Sequence, residues 1–229
     1  MKQLLRLYYL TMANVLIGQF ALAQKSPWEV GISVGYGQDH FNRKYYDTEL
    51  WPGTVTNFKS INSWNASIWV EKSLNQRFSV LARLKYLNNK MEENALCLCN
   101  FNGSYIFGEN ERYHWGSVGT GLRWYINPQS QVKFFTEGLV QVDYFVAYMR
   151  EVNYTKEIQY NALDHQRVVP TFALATGFKW KRFTLSAEYE RNIARTFIRS
   201  KKEYGTKTGI LRQGFNVKAG FTIFKGGNL

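Results

Sequence analysis

The sequence predicts an all-β protein, an eight-stranded antiparallel up-and-down transmembrane β-barrel with four long extracellular loops and three short periplasmic turns. In eight segments, apolar residues alternate with small or polar ones, which indicates strands with one apolar face. In most of these segments, for example Trp28–Tyr36, the apolar row ends in an aromatic residue on both sides. Such pairs are typical of strands that cross a membrane, because aromatic rings favour the two lipid–water interfaces.

The spacing of these aromatic pairs matches the thickness of a membrane. Phe78–Tyr86 and Phe172–Trp180 repeat the pattern of the first segment. Eight residues of strand span about 26 Å. A tilt of about 45° leaves a vertical reach of about 19 Å, close to the apolar band of a barrel in an outer membrane.

The composition agrees with a membrane barrel. The chain has 229 residues, of which 17% are aromatic, yet its mean hydropathy is −0.35. After the N-terminus, the sequence has no apolar run of the length that a transmembrane helix needs. A polar average is expected when half of each strand faces a polar interior.

The N-terminus, residues 1–23, is predicted to be a cleaved secretory signal peptide, which leaves residues 24–229 as one barrel domain. Lys2 and Arg6 precede the mostly apolar Leu7–Ile17, and the segment ends in Ala-Leu-Ala. Cleavage lowers the formal charge from +12 to +10 (12 − 2). Export favours anionic lipid headgroups over nucleic acid as the counterpart of this charge.

The alternation sets the bounds of the eight strands. They are Trp28–Tyr36, Ser63–Lys72, Phe78–Leu87, His114–Ile126, Val132–Phe145, Thr171–Trp180, Phe183–Arg191 and Gln213–Phe224. The short turns are Ser73–Arg77, Asn127–Gln131 and Lys181-Arg182, and the long loops are Gln38–Asn62, Asn88–Glu111, Val146–Val169 and Asn192–Arg212. Turns on one side and long loops on the other are typical of outer-membrane barrels.

The parity of the apolar positions tests this assignment. The apolar face lies on even positions through the sixth strand and on odd positions in the last two. A two-residue hairpin at Lys181-Arg182 reverses the parity, because Trp180 and Phe183 then pair on one face. The five-residue turn Asn127–Gln131 preserves it, as the sequence requires.

The aromatic residues sort into two girdles. The turn-side girdle comprises Trp28, Phe78, Trp124, Phe134, Trp180, Phe183 and Phe221, and the loop-side girdle comprises Tyr36, Trp64, Tyr86, Tyr144, Phe172, Tyr189 and Phe215. The alternative is a soluble calyx with its apolar face inward, which would share the alternation. A calyx needs neither paired girdles nor long loops on one side.

The opposite face of the strands carries charges of both signs, which we expect to pair inside a narrow barrel. The predicted network comprises Glu71, Arg83, Lys85, Arg123, Lys133, Glu137, Asp143, Lys179, Glu188, Glu190 and Lys218, with Glu29 as a further anion. Six cations then face six anions. Small residues such as Gly31, Gly119 and Ala173 make room for these long side chains. A salt-bridged plug is the favoured interpretation, and an ion or proton pathway is the alternative.

With these features the chain resembles the small eight-stranded outer-membrane barrels of the OmpA-transmembrane and OmpX type, often called a porin family. The resemblance covers Trp28–Phe224 and rests on architecture. It implies the outer membrane of a Gram-negative bacterium with both termini periplasmic. It also implies assembly by the outer-membrane insertion machinery, which reads a final strand ending in an aromatic residue, here Phe224. Lys225–Leu229 extends past the point where relatives usually stop.

Some barrels of this kind resemble lipid A-modifying enzymes, so histidine is the residue to examine. His40 and His165 fall in predicted loops, and His114 precedes Ser117 by three residues. Residues three apart on a strand face opposite sides, so this pair is a poor catalytic dyad. We predict no catalytic residue, no cofactor and no metal site.

The only two cysteines, Cys97 and Cys99, fall in the second predicted loop. A metal site would need further ligands that the neighbouring sequence does not supply. A disulfide between residues so close would be strained, while a bond to another chain stays possible. We expect a plain exposed pair.

The fourth loop is strongly basic. Its cations are Arg195, Arg199, Lys201, Lys202, Lys207 and Arg212, which oppose only Glu203, a net charge of +5 (6 − 1). Such a loop suits lipopolysaccharide phosphates or an acidic partner. The expected function is therefore a non-enzymatic structural or interaction barrel. Its expected partners are outer-membrane lipid and lipopolysaccharide, the insertion machinery and another envelope protein. A lipid A-modifying enzyme and a narrow channel are the alternatives.

Overall fold

A computed structural model of the protein describes residues 27–45, 55–100, 103–152, 155–159, 163–165, 168–200 and 207–226. Side chains are described for residues 27–42, 62–90, 112–147, 168–195 and 209–226. In this part of the chain, no helix is long and apolar enough to cross a membrane.

The described residues form antiparallel strands. In chain order these are β1 (Trp28–Tyr45), β2 (Val55–Ser73), β3 (Phe78–Asn100), β4 (Gly103–Tyr125), β5 (Val132–Val152), β6 (Thr155–Gln159), β7 (Leu163–His165), β8 (Val168–Trp180), β9 (Phe183–Asn192), β10 (Thr196–Ser200) and β11 (Lys207–Lys225).

Eight of these strands close into a barrel. Their order is β1-β2-β3-β4-β5-β8-β9-β11, and β11 pairs back onto β1, with Val34 opposite Ala219. The short strands β6, β7 and β10 lie outside the closed sheet, paired to β5, β10 and β11 respectively. Closure gives every barrel strand two neighbours, which lipid requires because it offers no hydrogen bonds. The predicted fold class and strand number are confirmed.

The strands extend further than the alternation predicts, so much of the predicted loop sequence is sheet. β1 runs on to Tyr45, and β3 pairs with β4 as far as Asn100 opposite Gly103. Cys97 and Cys99 therefore lie in β3, and their side chains are outside the described residues. A strand that leaves the membrane has no reason to keep one face apolar, which explains why the pattern ends before the strand does.

The two faces of the sheet follow the predicted parity. Through β8 the odd positions point inward, as Ser67 is buried and Ile68 is 52% exposed. In β9 and β11 the even positions point inward, as with the buried Glu188. The reversal lies at Lys181-Arg182, where Lys181 has a φ of 54°, the left-handed conformation of tight hairpin turns.

Two neighbouring glycines test the direction of the two faces. On the inward face, a Cβ at Gly121 would lie 2.0 Å from the Gly138 carbonyl oxygen. On the outward face, a Cβ at Gly138 would meet Leu174 Cδ2 at 3.6 Å, an ordinary contact. We expect Gly121→Ala to lower the free energy of unfolding by about 1–3 kcal/mol, because backbone must move.

The measurement is urea unfolding in detergent micelles, followed by tryptophan fluorescence. The matched control is Gly138→Ala, for which we expect a change within about 0.5 kcal/mol. Equal losses for the two variants would contradict the assignment of the faces.

Candidate functional site: the barrel interior

The outer surface of the barrel is an apolar band with aromatic borders. Outward side chains between the girdles include Val118 at 64% and Val140 at 62% exposure. The residues of both predicted girdles face outward, and cross-strand rings are in contact, for example Trp64 and Tyr86 with centroids 5.3 Å apart. A surface of this kind is stable against lipid and is the reverse of a soluble calyx.

The interior contains the charged side chains in layers. In the layer nearer the turns, Arg123 holds two carboxylates. Its Nη1 donates to Glu71 Oε2 at 2.7 Å, and its Nε and Nη2 donate to Glu137 Oε2 at 2.9 and 2.7 Å. The guanidinium carbon lies 4.2 Å from the centre of the Phe135 ring. Arg123 is thus fully engaged by charge and by packing.

Lysines from β5 and β8 occupy the turn-side mouth of the interior. Lys179 Nζ donates to Glu29 Oε2 at 2.6 Å and to Glu71 Oε2 at 3.3 Å. Lys133 stands directly opposite Lys179 across the sheet. Within the described residues its ammonium forms no ion pair, and it lies 5.8 Å from the centre of the Tyr125 ring. The prediction that Lys133 belongs to the salt-bridged network is therefore wrong.

The middle layer joins three cations to two glutamates. Arg83 and Lys218 both bind Glu188, and Lys85 binds Glu190. Arg83 Nη2 also lies 3.5 Å from Glu190 Oε1, which links the two pairs. Each carboxylate here is shared by at least two cations, so the loss of one pair changes the charge balance of the others.

The layer nearer the loops is centred on Arg212. Its Nη1 lies 3.0 Å from Asp39 Oδ1, and its Nη2 donates to Asp143 Oδ2 at 2.7 Å. Its Nη1 also lies 3.3 Å from Glu190 Oε2. Arg212 was predicted to be an exposed cation of the basic loop, and this is wrong because β11 begins before it. Arg212 stands at an even position of β11, and the even positions of this strand face inward. The parity of β11 therefore predicts that Arg212 lies inside the barrel.

The buried charges of the described interior balance. The cations are Arg83, Lys85, Arg123, Lys179, Arg212 and Lys218, and the anions are Asp39, Glu71, Glu137, Asp143, Glu188 and Glu190. The structure brings together ten of the eleven residues of the predicted network, all except Lys133. Sequence reasoning missed Asp39 and Arg212 because both lie past the predicted strand ends.

A buried apolar cluster lies at the loop end of the interior. It comprises Phe41, Leu87, Tyr113, Trp115, Phe145, Val169 and Ile210. Phe41 stands opposite Arg212, so the cluster covers the outermost charged layer. The sequence analysis did not predict this cap, although its members on β1 and β4 occupy inward positions of the extended strands.

The cavities of the interior differ in size from end to end. The cavity between Arg83 and Arg123 has a volume of about 30 Å³, room for about one water molecule. A cavity of about 680 Å³ opens at the turn end. The described interior is therefore filled in its middle, and a large cavity opens toward the turns.

The predicted catalytic weakness of His114 is visible in the structure. His114 faces outward and its Nδ1 contacts Tyr86 and the Asn88 amide nitrogen, while Ser117 faces inward and donates to Asp143 at 2.6 Å. The His114 ring therefore lies on the opposite side of the sheet from Ser117 and cannot activate it.

The remaining candidate residues add no reactive site. His40 is exposed on the outward face of β1, and the His165 side chain is outside the described residues. Where side chains are described, no group of three or more histidine, cysteine, aspartate and glutamate side chains is placed to hold a metal ion.

The predicted basic loop is only partly described. Arg195 donates to the Asn42 carbonyl at 3.0 Å and to Asn42 Oδ1 at 2.6 Å, so it ties the loop end to β1. The side chains of Arg199, Lys201, Lys202 and Lys207 are outside the described residues. Two of the six predicted contact residues, Arg195 and Arg212, are thus used within the protein.

A closed eight-stranded sheet with an apolar exterior and a charged, filled interior defines a transmembrane β-barrel. No protein-family model matches the chain. No curated protein matches it either.

Solved structures show the likeness in fold. The outer membrane protein OprG from Pseudomonas aeruginosa aligns with a TM-score of 0.50 at 10% identity, covering 89% of this chain and 99% of OprG. Ail from Yersinia pestis aligns with a TM-score of 0.32 at 15% identity, covering 83% and 99%. The outer membrane protease OmpT from Escherichia coli gives 0.38 at 9%, covering 87% and 97%. The chain has the fold of the small outer-membrane β-barrels of the OmpA/OmpX type.

The network predicts a large cost for the loss of one arginine. We expect Arg123→Gln to lower the free energy of unfolding by about 3–5 kcal/mol, because Glu137 loses both hydrogen bonds from Arg123 and keeps only the more distant Arg83, at 3.9 Å, among the described cations. The exposed Arg191 supplies the control, and Arg191→Gln should change stability by less than about 0.5 kcal/mol.

Urea titration in micelles measures these values, and the double variant Arg123→Gln/Glu137→Gln isolates the pair. The double variant should recover part of the loss, since both charges are then absent. Additive losses from the two single variants would show that the pair is not coupled.

Proposed function

We propose that the protein is a non-enzymatic barrel of the Gram-negative outer membrane that carries rigid β-hairpins beyond the outer leaflet for contact with another envelope component. The observation that carries this proposal is the filled interior. Because the interior is filled, the hairpin end is the part of the molecule that offers a surface for contact with a partner.

The filled interior argues against a channel. Arg83, Arg123 and Arg212 each bind at least two carboxylates, and these three residues occupy successive layers of the lumen. Ion passage would require breaking buried pairs whose partners have no water to replace them. Eight strands enclose a space that side chains fill, whereas porins use wider barrels.

The extended hairpins favour a role in contact. β3 continues for fourteen residues past Tyr86 of the loop-side girdle, to Asn100, which corresponds to about 46 Å at about 3.3 Å per residue. β4 pairs with it along this length. A paired hairpin presents a surface with less loss of conformational entropy on binding than a loop of equal length.

The orientation follows from the asymmetry of the barrel. The three short turns and both described chain ends lie at one end, where Glu29 pairs with Lys225, and the hairpins lie at the other. In the proposed orientation the turns are periplasmic. The final strand β11 presents Phe221 and Phe224 outward, which suits recognition by the insertion machinery.

Outer-leaflet lipid is part of the proposed environment. Arg112 and Arg191 are exposed, and Lys90 is half-buried. Their positions are outward-facing and just past the loop-side girdle. At this height they meet the phosphates of lipopolysaccharide, which guanidinium and ammonium groups bind well. These residues take the place of Arg195 and Arg212 in the predicted lipid contact.

The proposal predicts that the barrel does not conduct ions. Purified protein in planar bilayers with concentrated KCl should give no discrete conductance steps, because the lumen is filled at three levels. A larger porin inserted under the same conditions is the control for the assay. Steps that shift in size with Glu137→Gln would instead establish a narrow channel.

The hairpin role predicts that a trimmed chain folds but loses its partner. Residues 93–109 are replaced by Asn-Gly, which joins Glu92 to its cross-strand partner Asn110 through a two-residue turn. Native mass spectrometry after mild extraction from native membrane should show a co-migrating protein with the full chain and not with the trimmed chain. A full chain that carries only lipid, or a trimmed chain that keeps its partner, would contradict the proposal.

A further inference from the structure

The cavity at the turn end, here called the vestibule, is walled by charged side chains. They are Glu29, Glu71, Lys133, Lys179, Lys181 and Lys225. Four lysines thus face two glutamates. Glu71 also binds Arg123, so its carboxylate is shared with a cation that is not among these lysines.

Among the described residues, Lys133 is an inward-facing cation that forms no ion pair. Lys133 and Lys179 stand opposite each other on neighbouring strands, a like-charge arrangement that destabilises a sheet. Glu29 and Glu71 neutralise Lys179. Among the described residues, the Lys133 ammonium has a cation–π contact with the Tyr125 ring, whose centre lies 5.8 Å away. An anion in the vestibule would remove this imbalance.

Membrane lipid does not reach this position. Lys133 occupies an inward, odd position of β5, so the barrel wall separates it from the bilayer. Other cations at the same end do face the lipid or the solvent, such as the outward Lys72 and the exposed Arg182. The turn end therefore has one set of cations for headgroups and another that faces the vestibule.

The vestibule fits an extended peptide. Its volume of about 680 Å³ is within the range of about 300–1,000 Å³ that pockets for ligands occupy. Beside the lysines, its rim carries Gln76, Ser130 and Gln131, whose side chains donate and accept hydrogen bonds. Amide and hydroxyl groups beside cations suit a peptide backbone with acidic side chains.

We propose that the vestibule binds an acidic peptide segment presented from the turn side, with a carboxylate of that segment on the Lys133 ammonium. The partner is a protein whose exposed segment is rich in aspartate or glutamate. This site is separate from the hairpin end, so its test is independent of the proposed function.

The experiment uses the full protein in phosphatidylcholine nanodiscs and a fluorescein-labelled hexaglutamate peptide, read by fluorescence anisotropy. We expect saturable binding that Lys133→Gln weakens by about tenfold or more, since a hydrogen-bonded charge pair is lost. Lys133→Arg keeps the charge and should bind within about twofold of the unsubstituted protein.

Two controls separate the vestibule from general attraction. Lys72→Gln removes one charge from the same end on the outward face, and it should weaken binding by less than about twofold, because solvent and salt screen it. A hexaglutamine peptide should not bind. Equal losses for Lys133→Gln and Lys72→Gln, binding of hexaglutamine, or no saturable binding of hexaglutamate would overturn the proposal.

Discussion

The structure depends on the pairing of charges inside a narrow space that side chains fill almost completely in its middle. Eight strands enclose a narrow lumen, and the described strands hold six buried cations and six buried anions at inward positions. Long side chains fit because facing positions are nearly empty. A Cβ at Gly31 would lie 2.2 Å from the Trp69 ring, and one at Gly119 would lie 2.7 Å from Gln141 Cβ. Glycine on one strand thus makes room for a large side chain on the next.

The arginines of this network bind more carboxylates than Lys85 and Lys218 do. Arg83, Arg123 and Arg212 each reach two or more carboxylates, which the planar guanidinium allows by donating in several directions. Lys85 and Lys218 each bind one carboxylate within the middle layer. Arg83, at 3.9 Å from Glu137, and Arg212, at 3.3 Å from Glu190, therefore connect neighbouring layers.

The sequence predicted the structural features that the bilayer requires and missed features that the bilayer does not require. Between the girdles, lipid requires one apolar face, so alternation and parity revealed the eight strands and ten members of the network. Past the girdles both faces meet water, and the pattern ends although the strands continue. Arg212 and the cap members Phe41 and Ile210 lie past the predicted strand ends, where an extension of the parity would have placed them inside. Lys133 has the correct parity, but pairing depends on distances that a sequence does not contain.

The two ends of the lumen impose different chemistry on any ligand. At the loop end, Phe41, Trp115 and their neighbours cover the charged layers with buried apolar side chains. At the turn end, the lysines stand at an open cavity. In the proposed binding mode a charged ligand enters from the turn side, where Lys133 attracts it without breaking an ion pair among the described residues. The hairpin end offers its outer surface for contact. In the proposed orientation, the hairpin surface and the vestibule therefore lie on opposite sides of the membrane.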